Sequence, residues 1–311
     1  MQPWTFLCAC DMQPGSPRSF RFRAQHRENW ETTLDQLRGE EAELLIVGGD
    51  LTRDGSIHDF ELEELQAELG SLPYSFRAVP GNMDTGNKHS DIPHPKSHAE
   101  VTGEQLDRFA QVFGELPWSF VHRNVRFSGM YAALAGSGLP HEERMWRWLE
   151  EELPALPRAD HHVLVMHYAL FIEELREDNW DLTNPDENTA WYFGICEPHR
   201  SRIFAAMQAT DVEIVLSGHI HCRRPEQVAE GVRFFKCAGI AFPQWAGRWP
   251  DGDPRLGYHR FEVSDAGIAE TFVPLAREST SDEGYGPGGH PTVEMRDYSL
   301  AWEDPPEEFR R

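Results

Sequence analysis

The stretch Leu44-Leu45-Ile46-Val47-Gly48-Gly49-Asp50 constrains the chain more than any other. Four successive apolar residues predict a strand buried on both faces. The paired glycines that follow predict a tight turn that leaves the Asp50 carboxylate at the strand's carboxyl end, where ligand sites in open α/β sheets collect. An aspartate after a strand is more often a turn former or a helix cap, so Asp50 alone carries no function. Its weight comes from company: Asp11, Asn82, His167, His219 and His221 each stand in or just after a similar predicted strand.

At 311 residues the chain can bury a substantial core, as one large α/β domain or two smaller ones. Its formal charge of −23 argues against duplex nucleic acid and anionic membrane as partners, because both reward Lys and Arg that neutralise phosphate. A phosphate-bearing substrate then needs locally placed positive charge, which metal ions supply. The five cysteines show no framework spacing and are expected to be reduced. Cys8 and Cys10, two apart on one strand, do not suit disulfide geometry. The opening run Trp4 to Cys10 is too short for a signal peptide or a membrane span, and no later stretch qualifies. A cytoplasmic protein is expected.

Along the chain, a strand ends at Asp11-Met12-Gln13, and Trp30, Leu34 and Leu37 predict an amphipathic helix near 28–37. The Asp50 strand, a helix over 58–69 and a strand over 74–79 lead to Pro80-Gly81-Asn82-Met83-Asp84. Residues 85–98 read as a polar loop. A helix at 103–113, strands at 118–122 and 125–132, and a helix at 141–153 follow. The strand 161–166 delivers His167. Residues 171–196, with Trp180, Trp191 and Tyr192, form a long irregular stretch of the kind that serves as a lid. A helix near 199–208 and a strand at 212–216 lead into Ser217-Gly218-His219-Ile220-His221, and three strands are expected at 232–238, 256–263 and 268–273. No composition shift divides the chain, so residues 1–278 are expected as one domain carrying the lid insertion, and 279–311 as an extended arm lying on it.

Carboxylate, amide and imidazole from Asp11, Asp50, Asn82, His167, His219 and His221 suit ions of intermediate hardness such as manganese, iron or zinc. The blocks Asp11-Met12-Gln13, Gly49-Asp50, Gly81-Asn82-Met83-Asp84, His167 and Gly218-His219-Ile220-His221 resemble, in order and local sequence, the calcineurin-like metallophosphoesterase superfamily, from residue 4 to about 273. The resemblance implies an α/β fold, a four-layer αββα sandwich with two mixed β-sheets inside. It implies two divalent or trivalent metal ions (Mn, Fe or Zn) bridged by Asp50, one held by Asp11, Gln13 and His221 and the other by Asn82, His167 and His219. The implied reaction is hydrolysis of phosphate mono- or diesters by attack of a metal-bridging hydroxide. Asp50, Asn82 and Asp84 are the candidate catalytic residues, and Asn82, Arg53 and Tyr192 the candidate substrate contacts. The expected partner is a small phosphorylated substrate or a phosphoprotein.

The chain departs from that pattern in two places. Gln13 stands where the family usually has histidine, as in a subgroup with D-x-Q and a run similar to Trp249-Pro250-Asp251-Gly252-Asp253-Pro254, some of whose members are described as protein phosphatases. Met83 replaces the histidine that protonates the leaving group, and a thioether has no proton to give. Either a loop histidine, His89, His94 or His98, takes its place with Asp84 orienting it, or the leaving group departs unprotonated. A weakened family member that binds a phosphorylated ligand is the alternative function. Arg53 occupies the position where purple acid phosphatases place a metal-binding tyrosine, which sets that subfamily aside.

Overall fold

The computed structural model describes residues 2–19, 21–90, 100–243 and 247–285. Its first sheet is built on the apolar runs at the start of the chain. β1 (Trp4–Ala9) and β3 (Leu44–Gly48) are buried along their whole length, as strands covered on both faces must be. They run parallel, with β4 (Ser75–Val79) parallel to β3, while β11 (Gly257–Ser264) adds antiparallel to β1 and β12 (Gly267–Pro274) antiparallel to β11. The second sheet has a parallel centre of β6 (Val125–Gly129), β7 (His161–Val165), β8 (Ile214–Ser217) and β10 (Val232–Lys236). Antiparallel β5 (Trp118–His122) and β9 (Gln227–Ala229) close its edges. Both sheets are therefore mixed.

Apolar side chains fuse the two sheets. Phe6 of β1 meets Phe127 of β6 edge-on at 4.9 Å, and Phe235 of β10 meets Phe261 of β11 at 5.4 Å. The thiols of Cys8, Cys10 and Cys237 lie buried in the same seam, unpaired by disulfide. Helices α1 (Ala24–Arg38) and α2 (Asp59–Leu69) are tied to each other by Glu68, which accepts from Trp30 Nε1 at 2.5 Å and pairs with Arg27. α7 (His199–Ala209) sets Phe204 against Phe234 of the second sheet.

Most expected elements fall within a residue or two of their predicted limits, and the helix at Gly103–Phe113 matches its prediction. The differences are local. The helix predicted over 141–153 is α-helical over Pro140–Arg147 and then widens, with Leu153 N–H bonding back to Trp148 O at 2.8 Å. The stretch predicted as irregular over 171–196 contains a helix, Pro185–Phe193. The last described residues, Gly284–Tyr285, pair antiparallel with Phe22–Arg23, and Ser279 N–H donates to Asn29 Oδ1 at 2.6 Å; residues 286–311 lie outside the described residues.

Parallel strands put their carboxyl ends on one side. β1, β3, β4, β7 and β8 accordingly deliver Asp11, Asp50, Asn82, His167 and the His219–His221 pair to a common rim. The loops there are stitched across the sandwich: Asp11 N–H bonds Gly49 O at 3.0 Å, Gly218 N–H bonds His167 O at 3.0 Å, and Ala241 N–H bonds Asp11 O at 3.0 Å.

Candidate metal centre

Five of the residues at this rim hold left-handed backbone conformations without being glycine: Asp11 (φ 54°), Gln13 (φ 37°), Asp50 (φ 51°), His219 (φ 71°) and His221 (φ 49°). Such conformations are uncommon for side-chain-bearing residues and cost free energy that the surrounding structure must offset. The turns fold this way because close approach leaves no alternative. Gly49 is itself left-handed (φ 94°), and a Cβ there would collide with the His167 ring. The strain aims side chains inward that an extended strand end would send to opposite faces.

All the sequence-predicted ligands converge. Asp50, His167 and His219 bring ligand atoms within 4.8 Å of one another, and Asp11, Asp50 and His221 do the same, so Asp50 is common to both groups. His167 Nε2 lies 3.2 Å from Asn82 Oδ1 and 3.3 Å from Asp50 Oδ1. His221 Nε2 lies 3.4 Å from Asp11 Oδ1 and from Gln13 Nε2.

Each histidine has one ring nitrogen committed to a main-chain carbonyl. His167 Nδ1 donates to Gly48 O, His219 Nε2 to Tyr192 O and His221 Nδ1 to Phe242 O, each at 3.0 Å. With those nitrogens protonated, the second nitrogen of each ring, Nε2 of His167, Nδ1 of His219 and Nε2 of His221, is the one left for the centre, the arrangement that metal-ligating histidines adopt; without an ion, that nitrogen of His167 holds a proton facing Asp50. The buried Oε1 of Gln13 meets no donor in the protein. Ring nitrogens left for the centre, and a Gln13 amide set against Asp50 with its own oxygen orphaned, fit a cation of intermediate hardness.

The field at the centre agrees. Burial alone would lower the His167 pKa, yet the Asp50 charge beside it lifts it to about 9. Asp50 is held well below the usual carboxylate range, because His167 outweighs its burial. Asp11 is pushed up to about 6 by burial, with the Asp50 charge adding to the effect. Burial and the neighbouring His167 push His219 far down. Positive charge is favoured between these groups.

The other predicted residues fall into two groups. Asn82 Nδ2 donates to Tyr192 Oη at 3.1 Å, and the Tyr192 ring packs on His219 at 4.8 Å, so both stand at the centre. Arg53, on the turn after Asp50, has its guanidinium Nε buried without a partner. Asp84 is a brace: its carboxylate accepts from Gly81 N, Leu51 N, Thr52 N and Thr52 Oγ1 at 2.6–3.0 Å, and none of these bonds goes to a histidine. It joins the turn of Asp50 to the turn of Asn82.

Met83 is buried, and its main-chain N–H donates to Asp50 Oδ1 at 2.8 Å. Of the loop histidines, His89 sets Nε2 3.0 Å from Val101 O and Nδ1 3.6 Å from the Glu100 carboxylate. His94 and His98 lie outside the described residues.

The stretch expected to serve as a lid is held by its aromatics. Phe193 packs on His219 at 5.0 Å and on Trp249 at 5.7 Å, and Trp180 lies against Gly194 and under Arg200. Two neighbours of the centre had no signal in the sequence. Lys88, buried, donates to the carbonyls of Trp191 and Gly194 and fixes the lid. His26 stacks on Phe242, which packs on His221.

A two-sheet α/β sandwich whose parallel strands converge on a buried set of carboxylates, amides and imidazoles defines a metal-binding hydrolase-type scaffold. The chain belongs to the calcineurin-like phosphoesterase family, whose sequence profile matches residues 5–223. It is therefore of a family of metal-dependent phosphoesterases. Among curated protein sequences nothing matches significantly. Its fold is similar to a purple acid phosphatase from yellow lupin seeds, at TM-score 0.62 and 12% identity over 90% of this chain and 53% of that one. A dimetal phosphatase of Danio rerio aligns at TM-score 0.52 and 13% identity, covering 88% and 99% of the two chains. GAP50, the anchor in the inner membrane complex of Plasmodium, aligns at TM-score 0.55 and 14% identity over 91% and 87%. Among the described residues no helix is long and apolar enough to cross a membrane.

Proposed function

We propose that the protein is a dinuclear metal-dependent phosphoesterase acting on a small phosphorylated substrate or a phosphoprotein. The observation that carries this reading is the placing of the three histidines, each tied to a main-chain carbonyl by one nitrogen and each grouped with the shared carboxylate of Asp50, ligand atoms within 4.8 Å of one another. Asp11, Gln13 and His221 would hold one ion, Asn82, His167 and His219 the other, and Asp50 both. Bound there, the ions supply an activated water nucleophile and charge against the phosphate oxygens.

The chain's own groups do the rest. Asn82 Nδ2 and Tyr192 Oη offer neutral hydrogen bonds at the face of the centre, and Arg53 offers an uncommitted positive charge. Asp84 holds the Asp50 and Asn82 turns in register, so it acts as a positioning residue. The lid packed on His219 keeps water from that side.

The test is turnover of an aryl phosphate by protein loaded with manganese, with Asp50→Asn as control. Hydrolysis by the wild type that the variant loses supports the reading. A wild type that binds phosphate esters without turning them over would instead make the protein a binding member of the family, the reading that Met83 favours.

A further inference from the structure

Two buried nitrogens beside the centre have nothing to bond to: Nε of Arg53 and Nδ1 of His26. Arg53 lies three residues beyond Asp50. Its main-chain N–H donates to Glu61 Oε2 at 2.9 Å, but its guanidinium has no hydrogen bond or ion pair among the described residues. The acids around it are engaged elsewhere. Asp54 takes Arg21, Glu61 accepts from the Ser19 hydroxyl and two main-chain amides, and Asp50 accepts from Gln13 and Met83. A guanidinium whose Nε is buried without a partner, and whose neighbouring acids are committed elsewhere, is a ready seat for an anion.

His26, on the first turn of α1, is 6% exposed. Its ring stacks on Phe242 at 4.8 Å, and Phe242 packs at 4.3 Å on His221, which places the imidazole on the Asp11/His221 side of the centre. Arg53 and His26 both border the loop after Asp11. A Cβ on Gly15 would stand 3.2 Å from Arg53 Cβ, and the His26 ring hydrogen-bonds the Gln13 main chain. After burial itself, Arg53 is the group that most strongly disfavours a charge on His26, which marks the two as neighbours. The ring's hydrogen bond to the Gln13 main chain holds it in place and leaves Nδ1 without a partner, so His26 walls the space beside Arg53 without donating into it.

We infer that Arg53 forms an anion subsite flanking the centre, walled by His26 on the Asp11/His221 side, and that the substrate is a phosphate ester carrying a second anionic group, carboxylate or phosphate. This rests on the phosphoesterase reading, and it adds a substrate class. Hydrogen bonds to charged groups in enclosed sites are strong enough that a second anion seated on Arg53 should improve affinity about tenfold or more.

The experiment measures dissociation constants by calorimetry on the manganese-loaded full chain, with metal content checked after each titration. Two matched pairs sample different reach: phosphoglycolate against ethyl phosphate, and propane-1,3-diyl bisphosphate against propyl phosphate. The wild type should prefer the doubly anionic member of at least one pair by about tenfold or more. Arg53→Gln should bring that ratio close to one, and Arg53→Lys should restore part of it. No preference in either pair, or no binding by any of the four, overturns the inference. So does an Arg53→Gln variant that weakens both members of a pair equally, which would assign Arg53 to the reacting phosphate. Because the readout is binding, absence of aryl phosphate turnover would defeat the phosphoesterase reading without deciding this one.

Discussion

Gln13 brings its side-chain amide to Asp50, with Nε2 2.6 Å from Oδ2, and leaves its own Oε1 buried without a partner. Turned over, the same amide would offer that oxygen to a cation lying between Asp11, Asp50 and His221. An amide oxygen is a weaker ligand than imidazole for ions of this kind. The ion on the Asp11/His221 side is therefore expected to be the first removed by a chelator. Gln13→His should slow its loss, and Gln13→Ala should weaken that position about tenfold or more. Metal content followed against time checks this, and simultaneous loss from both positions would count against it.

Met83 governs a second expectation. It stands buried beside Asp50 with no proton to donate, and His89 is engaged with Val101 and Glu100. Departure of the leaving group without a protein acid makes the rate depend steeply on how well that oxygen carries charge. Aryl esters should react far faster than alkyl esters, and Met83→His should help alkyl esters most, by up to about a hundredfold. A leaving-group series on both proteins measures this. A shallow dependence in the wild type would show that another acid serves.

The two-sheet frame and the ligand set were legible because both depend on short-range signals, apolar runs that end in Gly-Gly-Asp, Gly-Asn or Gly-His-x-His. The left-handed backbones of Asp11, Asp50 and His221 were not legible, since they follow from how loops of two sheets close on one another. Nor was Asp84's role as a brace: its carboxylate has the same sequence neighbours whether it points at a substrate or at Leu51 and Thr52 N–H. His26 and Lys88 carry no local signal at all. They matter through contacts with Phe242 and with the carbonyls of Trp191 and Gly194, all distant in sequence. The helix in the 171–196 stretch escaped because its aromatic residues, Trp191, Tyr192 and Phe193, cluster at its carboxyl end and give no helical stripe.

Lys88 is expected to act as the latch of that lid. Burial pushes its ammonium down to about 7, and both its hydrogen bonds go to lid carbonyls. Lys88→Met should leave Trp191 O and Gly194 O unpaired at a cost of about 1–3 kcal/mol. Amide hydrogen exchange within 171–196 should quicken while exchange in β1 and β3 stays slow. Uniform acceleration through both sheets would show a global role instead.

Glu61 sets a pH dependence. Burial, then the charge of Asp54, pushes its carboxyl up to about 8, and the charged groups facing it are Asp54, Arg53 and, through Asp54, Arg21. The folded protein thus binds a proton that the unfolded chain releases near 4.5. The stability from this group is full below about pH 4.5 and is lost as pH rises through about 8. Glu61→Gln, which copies the protonated form, should remove a fall on the order of several kcal/mol between pH 5 and 9. Denaturant unfolding of both proteins at pH 5, 7 and 9 checks the slope, and an unchanged slope in the variant would contradict the assignment.

The central claim is a pair of ions sharing Asp50, and native mass spectrometry of the full chain at saturating manganese counts them directly. The account predicts two ions per chain in the wild type and none retained in Asp50→Ala, because the shared carboxylate belongs to both ligand groups. One ion per wild-type chain, or a variant that keeps its full complement, would contradict it.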